Sequence, residues 1–196
     1  MSKMAELSAE ADQFQSLLLS IERKGITDLL GYLATTDFYF APSSTKYHDT
    51  EVSGLLHHSF NVYGNLVRLN QIFDGDYPED TLKLAGLLHD LCKINFYKRD
   101  FRNVKIDGIW TQQAYISVED QLPLGHGEKS VIIIQRFLQL TEEEIFAIRW
   151  HMMAYDDLHC TYAGNLAITT ASTKYPLIVL LHMADLSASF LKVRTP

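Results

Sequence analysis

The stretch Leu84–Tyr97, LAGLLHDLCKINFY, constrains the fold of this chain more than any other. Its leucines recur at the i, i+3, i+4 and i+7 spacing of a buried helical stripe, at Leu84, Leu87, Leu88 and Leu91. Gly86, His89 and Asp90 lie on the other side of that helical wheel, and Gly86 leaves space for something to approach. The imidazole and the carboxylate offer a metal one nitrogen and one anionic oxygen, and the second carboxylate oxygen can bridge a second ion.

The same His-Asp dipeptide is also typical of the solvent-exposed face of an amphipathic helix. His and Asp are mostly surface residues, so the pair taken alone fits that simpler interpretation. The choice between a metal site and a wet helix face therefore depends on what the rest of the chain provides.

Length and composition predict one domain over residues 1–196. A chain of this length can bury a proper core, and its 47% apolar and 21% charged residues are ordinary for a soluble globular protein. No apolar run approaches the roughly 18 residues of a membrane helix, so no membrane partner is expected. The N-terminus has no apolar segment typical of a secretory signal.

Cysteine content and charge restrict the compartment and the partners. The only cysteines are Cys92 and Cys160, which form no disulfide framework, so we predict a reducing, cytoplasmic location. The net charge of −7 argues against a protein that binds long nucleic acid along its phosphate backbone. It does not argue against small phosphorylated ligands held by metal ions.

Helical periodicity and turn signals predict an all-α fold with one small inserted β-hairpin. Two N-terminal helices within residues 1–36 precede a core at 37–193, and Asp107-Gly108 marks the turn of a hairpin at about 103–116. The predicted helices are Ala5–Arg23, Thr27–Ala34, Ser53–Phe73, one that begins at Pro78, Glu128–Leu140, Glu142–Met152 and Ser172–Val193.

Two local sequence features add detail to this predicted fold. Thr141 followed by Glu144 predicts a capping box at the start of the helix from Glu142. The polar segment Ala154–Thr170 is predicted to be a loop.

Other helical segments place ionisable side chains on faces that should be buried. His58, for example, lies on the apolar stripe formed with Val62 and Leu66. The complete set of such side chains is His58, His126, His151 and Asp185. A buried imidazole or carboxylate without a partner costs several kcal/mol, so each one needs a partner. One inward His is usually satisfied within a core, but four such groups together with His89 and Asp90 favour a shared metal centre.

Six potential ligands suit two ions better than one. They are His58, His89, Asp90, His126, His151 and Asp185, with Asp90 as the bridge. Mixed nitrogen and oxygen ligation is typical of divalent Mn, Fe, Co, Ni or Zn and does not choose among them.

The order His…His-Asp…His…His…Asp on separate helices resembles the HD superfamily of metal-dependent phosphohydrolases. The resemblance runs from about Phe40 to Leu191 and implies an HD-domain helical bundle. The segments that carry it are GLLHHSFNV around His58, LAGLLHDLCK around His89 and Asp90, GHGEKS around His126, RWHM around His151 and LLHMADL around Asp185. The resemblance also implies two ions, one served by His126 and His151 and the other mainly by His58 and Asp185.

Within the superfamily, the chain is most similar to the HD domain of bacterial 3′–5′ exoribonucleases. The likeness lies in APSSTKYH followed by GLLHHS and then HDLCK. His57 stands where many relatives have Glu before the first ligand, which leaves the surroundings of that ligand open. The chain also has no room for the RNA-holding OB-fold of the exoribonucleases, which argues against RNA exonuclease activity.

Further residues are candidates for contacting the substrate or supporting the ligands. Lys93 projects near the same helix edge as Asp90, and in the family this Lys commonly meets a substrate phosphate. The alternative for Lys93 is a solvated side chain that complements the helix dipole. Other substrate-binding candidates, which a hydrated loop explains equally well, are Thr45, Lys46 and His48. Candidates that touch the ligands instead of the metal are His57 and His182.

The expected function is hydrolysis of a phosphoester of a nucleotide or other small phosphorylated molecule. Two ions bridged by Asp90 would activate a water for in-line attack on phosphorus, and Lys93 would help to stabilise the developing charge. The alternatives are a 3′–5′ exonuclease-like phosphodiesterase, an HD-type di-iron oxygenase and a non-catalytic nucleotide-sensing module. The sequence leaves open whether the chain forms a homo-oligomer.

Overall fold

The computed structural model describes residues 3–44 and 53–191. Within these ranges the chain forms eight α-helices and one two-stranded antiparallel sheet, which confirms the predicted all-α fold with an inserted hairpin. The elements are α1 (Lys3–Leu19), α2 (Ile26–Leu33), α3 (Gly54–Ile72), α4 (Glu79–Leu88), β1 (Tyr97–Ile106), β2 (Ile109–Val118), α5 (His126–Gln135), α6 (Glu142–Trp150), α7 (Tyr162–Lys174) and α8 (Leu177–Phe190). None of the helices in these ranges is both long and apolar enough to cross a membrane.

Helix α4 forms the buried centre of the molecule and packs against α1, α3 and α6. Every residue from Thr81 to Leu88 is buried, so α4 has no solvent-exposed face. Even Lys83 is covered, and its ammonium group reaches the Ser20 hydroxyl at 2.8 Å and the Glu79 carboxylate at 2.9 Å. The interpretation of His89 and Asp90 as the wet face of an amphipathic helix therefore fails.

Gly86 allows α3 and α4 to cross at close range. A Cβ atom at this position would lie 2.7 Å from the Cα atom of Tyr63 in α3, closer than real Cβ contacts. The space that the sequence predicts beside Gly86 is therefore filled by a neighbouring helix.

The hairpin is longer than the predicted 103–116, because β1 and β2 have ten residues each. Its turn residues, Asp107 and Gly108, have φ angles of 49° and 84°. Positive φ at both positions is the conformation that Asp-Gly favours in a two-residue hairpin turn. The register pairs Tyr97 with Val118 at the base and Ile106 with Ile109 at the tip.

The C-terminal half contains one helix more than predicted. The supposed loop Ala154–Thr170 holds most of one short 3-10 helix, all of a second and the larger part of α7, so that prediction is wrong. The Thr161 hydroxyl caps α7 by accepting from the backbone N–H of Gly164 at 3.0 Å. The predicted helix Ser172–Val193 is divided, because Pro176 cannot donate a helical hydrogen bond and instead begins α8.

The predicted capping box of α6 is confirmed and has a second role. The backbone N–H of Glu144 donates to the Thr141 hydroxyl at 3.2 Å, and the N–H of Thr141 donates to Glu144 Oε2 at 2.9 Å. The fully buried Glu144 carboxylate also accepts two bonds from the Arg23 guanidinium, at 2.6 and 2.7 Å. Burial alone would raise the pKa of Glu144, but Arg23 and the capping contacts lower it. One carboxylate thus joins the chain after α1 to α6.

Candidate metal centre

Five helices bring the six predicted ligands to one place. The contributing positions are His58 within α3, His89 and Asp90 just past the end of α4, His126 at the start of α5, His151 just past the end of α6, and Asp185 within α8. Most of these residues stand at helix ends, where a helical wheel no longer describes the direction of a side chain. Their assignment as ligands stays a prediction, to which the structure adds their convergence.

Asp90 lies at the centre of this group and is 2% exposed. Its backbone leaves helical geometry at φ −106° and ψ 21°, and the chain continues into the short 3-10 helix Leu91–Lys93. This change of direction ends α4 and turns the carboxylate toward the start of α5 and the end of α6.

The two oxygens of Asp90 face different sets of imidazoles. Oδ1 lies 2.7 Å from Nε2 of His126 and 3.7 Å from Nε2 of His151. Oδ2 lies 3.3 Å from Nε2 of His89 and 3.5 Å from Nε2 of His58. A carboxylate that offers one oxygen to each set has the geometry expected of a bridge between two ions.

A second carboxylate, Asp185, completes the Oδ2 side of the centre. Its Oδ1 atom lies 3.0 Å from Nε2 of His58, and the side chain is 17% exposed. Burial alone would raise the pKa of Asp185, but the contact with His58 holds it well below its usual range. The ligand atoms of His58, His89 and Asp185 all lie within 4.8 Å of one another.

Three imidazoles have a buried Nε2 atom without a hydrogen-bond partner: His58, His89 and His151. These atoms lie within ion-pair distance of carboxylates but outside hydrogen-bond geometry. In His89 and His151 the other nitrogen, Nδ1, bonds the backbone oxygens of Gly86 and Ile148 at 3.0 and 2.7 Å. Donation from Nδ1 leaves a lone pair on Nε2, as in metal-binding histidines, so the residues present fit divalent ions.

The protonation states of Asp90, His89 and His126 agree with metal ligation. Burial alone would raise the pKa of Asp90, but Lys93 and His89 hold it well below its usual range. Burial lowers the pKa of both His89 and His126, which favours neutral imidazoles. For His151, burial also disfavours the charged form, but the Asp90 carboxylate outweighs it and the pKa is raised. An ionised Asp90 beside neutral His89 and His126 is the state that metal binding requires, whereas an ion that binds His151 has to displace the proton that Asp90 favours there.

Lys93 lies beside Asp90, as its position in the sequence predicts. Its Nζ atom is 2.6 Å from Asp90 Oδ2, and its side chain is only 15% exposed. Burial disfavours the charged ammonium, but the Asp90 carboxylate raises the pKa of Lys93. The Lys93 side chain is therefore a fixed, protonated group at the centre and not a solvated lysine at a helix end.

The centre opens into a cavity of about 360 Å³. Its polar wall includes His58, Asp90, Lys93, His126, His182 and Asp185. Tyr155 and Phe190 also line the cavity, and 64% and 60% of their surfaces are exposed. A small ligand can therefore contact the metal ligands and an apolar surface at once.

The supporting residues chosen from the sequence have different outcomes. The His57 side chain turns away from the predicted ligands, because its Nε2 atom pairs with Glu10 of α1 at 2.6 Å and its side chain is 43% exposed. His182 contacts a predicted ligand, since its Nδ1 atom bonds the backbone oxygen of His151 at 2.7 Å, and its supporting role stays a prediction. The substrate-binding candidates in the loop before α3 lie outside the described residues and stay predictions: Thr45, Lys46 and His48.

Sequence reasoning missed Cys92, which lies inside the centre. Its sulfur atom is 3.3 and 3.4 Å from the two ring nitrogens of His126 and 3.9 Å from Asp90 Oδ1. On a continuous α-helix, residues two apart point about 200° away from each other, so a helical wheel places Cys92 and Asp90 on nearly opposite faces. The turn into the 3-10 helix removes that separation.

Comparison with known proteins places the chain in a family. The family model described as HD domain matches residues 55–166, which is more than half of the 196 residues. The chain therefore belongs to the HD domain family, whose members are generally metal-dependent hydrolases that bind divalent metals. Comparisons with curated proteins and with solved structures found no match. The finer likeness to exoribonuclease HD domains stays a prediction.

Proposed function

We propose that this protein is a phosphohydrolase that uses two divalent ions to hydrolyse a phosphoester of a nucleotide or another small phosphorylated molecule. The observation that carries the proposal is Asp90, which presents one oxygen to each of two imidazole sets at the wall of a cavity. Membership of the HD domain family supports the same class of chemistry.

The residues divide between two ions around Asp90. One ion would be held by Asp90 Oδ2 with His58, His89 and Asp185, and the other by Asp90 Oδ1 with His126 and His151. When bound, such ions supply Lewis-acid stabilisation of a phosphoryl group and of a nucleophilic water. Because the two sets share a single carboxylate, Asp90 would hold both ions in the same site.

Lys93 binds the phosphoryl group in this proposal. Its ammonium lines the cavity beside Asp90, and the raised pKa keeps it charged at neutral pH. A fixed cation close to the reacting phosphorus stabilises negative charge that develops on the phosphoryl oxygens. Since Asp90 holds the ammonium at 2.6 Å, little reorganisation is needed when a phosphate arrives.

The cavity supports a small substrate. Its volume of about 360 Å³ is at the lower end of the roughly 300–1,000 Å³ typical of small-molecule sites. Tyr155 and Phe190 line the same cavity as Lys93 and offer apolar surface for a base or a similar group. The acidic chain, with a net charge of −7, also opposes the multiple phosphate contacts that give long strands their affinity.

The test compares kcat/KM for mononucleotides, other small phosphoesters and single strands of increasing length at physiological salt. We expect hydrolysis of a small phosphoester that stops after chelation, returns with divalent metal, and does not improve with strand length. Lys93→Met should reduce kcat/KM on the small substrate while metal content stays unchanged. Glu10→Gln is a matched control, because Glu10 contacts His57 outside the centre.

Two outcomes would contradict the proposal. A kcat/KM that rises steeply with strand length would favour the exonuclease alternative. Tight nucleotide binding without turnover by fully metal-loaded protein would favour the sensing module.

A further inference from the structure

Cys92 is a buried thiol surrounded by polar groups. It is 4% exposed, and its sulfur atom lies within 3.4 Å of both ring nitrogens of His126. A buried cysteine with only a packing role usually behaves as a small hydrophobic side chain among apolar neighbours. These polar contacts indicate a different role.

The sulfur atom lies on one particular side of Asp90. Its nearest carboxylate oxygen is Oδ1, at 3.9 Å, and this is the oxygen that His126 and His151 also face. Ligand atoms of Asp90, Cys92 and His126 lie within 4.8 Å of one another. Nε2 of His151 is completely buried, lacks a hydrogen-bond partner and lies 3.7 Å from the same oxygen. The unpartnered His151 nitrogen, which also groups with His89 and Asp90, is a second, independent sign of a ligand beside Asp90 Oδ1.

The backbone fixes the thiol at this position. The N–H of Cys92 donates to the hydroxyl of Ser130 in α5 at 3.0 Å, which ties the 3-10 helix to the helix that begins with His126. Cys92 is therefore tied to α5 by two contacts, one from its backbone to Ser130 and one from its side chain to His126.

We propose that the sulfur of Cys92 is a ligand of the ion held by His126, His151 and Asp90 Oδ1. The inference rests on the proposed two-ion centre and adds a residue and a metal preference to it. Ligand atoms on tetrahedral zinc are about 3.5 Å apart, given bonds of about 2.3 Å to sulfur and about 2.0 Å to nitrogen. The separations from Cys92 Sγ to His126 Nε2 and Asp90 Oδ1, 3.4 and 3.9 Å, are close to that spacing. His126 Nε2 and Asp90 Oδ1 are only 2.7 Å apart and would have to separate as an ion enters between them.

Ligation converts the thiol to a thiolate, so the S–H proton is released to solvent as the bond from sulfur to the ion forms. A divalent ion beside the sulfur stabilises that thiolate. A thiolate ligand also selects Zn, Co or Fe over the harder Mn and Mg at this half of the centre.

The test uses Cys160→Ser protein, in which Cys92 is the only cysteine. Cys160 is exposed and lies outside the centre, so this variant should retain the metal content of the natural chain. On titration with cobalt, we expect a near-ultraviolet sulfur-to-cobalt charge-transfer band. Adding Cys92→Ala should abolish the band and weaken binding of one of the two cobalt ions at least about tenfold.

X-ray absorption of the zinc-loaded Cys160→Ser protein provides a second measurement that does not depend on the folding of the Cys92 variant. A sulfur shell at about 2.3 Å from zinc would support the inference. Two bound ions with no sulfur shell and no charge-transfer band would overturn it while leaving the two-ion centre intact. Failure to bind any stoichiometric metal would overturn both.

Discussion

Replacing Asp90 with asparagine tests the bridge at the centre of the site. The asparagine side chain would keep the size and one acceptor oxygen of the original carboxylate but lose the charge and the second oxygen. Since each Asp90 oxygen faces a different imidazole set, we expect Asp90→Asn to weaken the binding of both ions. Activity and metal content should be lost together while the fold is retained.

Asp90→Asn should change the stability of the protein in two ways, one without metal and one with metal. In chelator, the variant leaves the Lys93 ammonium, only 15% exposed, without its carboxylate at 2.6 Å. Removing one partner of a largely buried pair costs on the order of 3 kcal/mol. When the free metal concentration is about 100 times the Kd, each bound ion raises the free energy of unfolding of the natural protein by about 2.7 kcal/mol. For a chain of this size that gain raises Tm by about 5–10 °C for each ion, and Asp90→Asn should show no such rise.

The assay is thermal unfolding by circular dichroism with and without divalent metal, accompanied by metal analysis of the dialysed protein. Asp156→Asn is a matched control, because Asp156 is a largely buried carboxylate that pairs with Arg149 at 2.7 Å outside the centre. The control should lose stability and keep the metal-dependent rise in Tm. If Asp90→Asn keeps two ions per chain and the full rise, Asp90 is no bridge.

Three other variants test single features of the structure. His126→Ala should retain about one ion per chain instead of two by metal analysis, because the ligands on the other side of Asp90 are unchanged. Gly86→Ala should lower the free energy of unfolding in urea by about 1–3 kcal/mol because its Cβ meets α3, whereas Gly64→Ala, with open space, should raise it by about 0.5–1 kcal/mol. Glu144 has a lowered folded pKa, so its stabilisation is present above the ordinary value of 4.5 and is lost as pH falls through the folded value. Glu144→Gln should therefore lose less stability than the natural protein between about pH 5 and pH 3.

Each of these expectations has a contrary result. Loss of both ions in His126→Ala would mean that the two halves bind metal only together. Equal unfolding midpoints for the two glycine variants would mean that α3 and α4 do not cross closely at Gly86. Parallel pH profiles for the natural protein and Glu144→Gln would mean that the Arg23 contact leaves the pKa of Glu144 unchanged.

The sequence by itself determines which side chains need partners. Helical periodicity assigns His58 and Asp185 to buried faces, and the cost of burying an unpaired ionisable group then implies that such residues share something. Local signals also predict the Asp107-Gly108 turn and the capping box at Thr141, because those hydrogen bonds join residues only a few positions apart. These inferences use nothing beyond neighbouring residues.

Only the tertiary structure decides how those side chains are arranged around Asp90. Periodicity does not reveal that α4 ends at Leu88, so it could not bring Cys92 to the same carboxylate as His126. Periodicity also could not show that the His57 side chain pairs with Glu10, 47 positions earlier in the chain, outside the centre. Contacts between residues that are distant in sequence depend on where helices end and cross, and packing across the whole chain sets those positions.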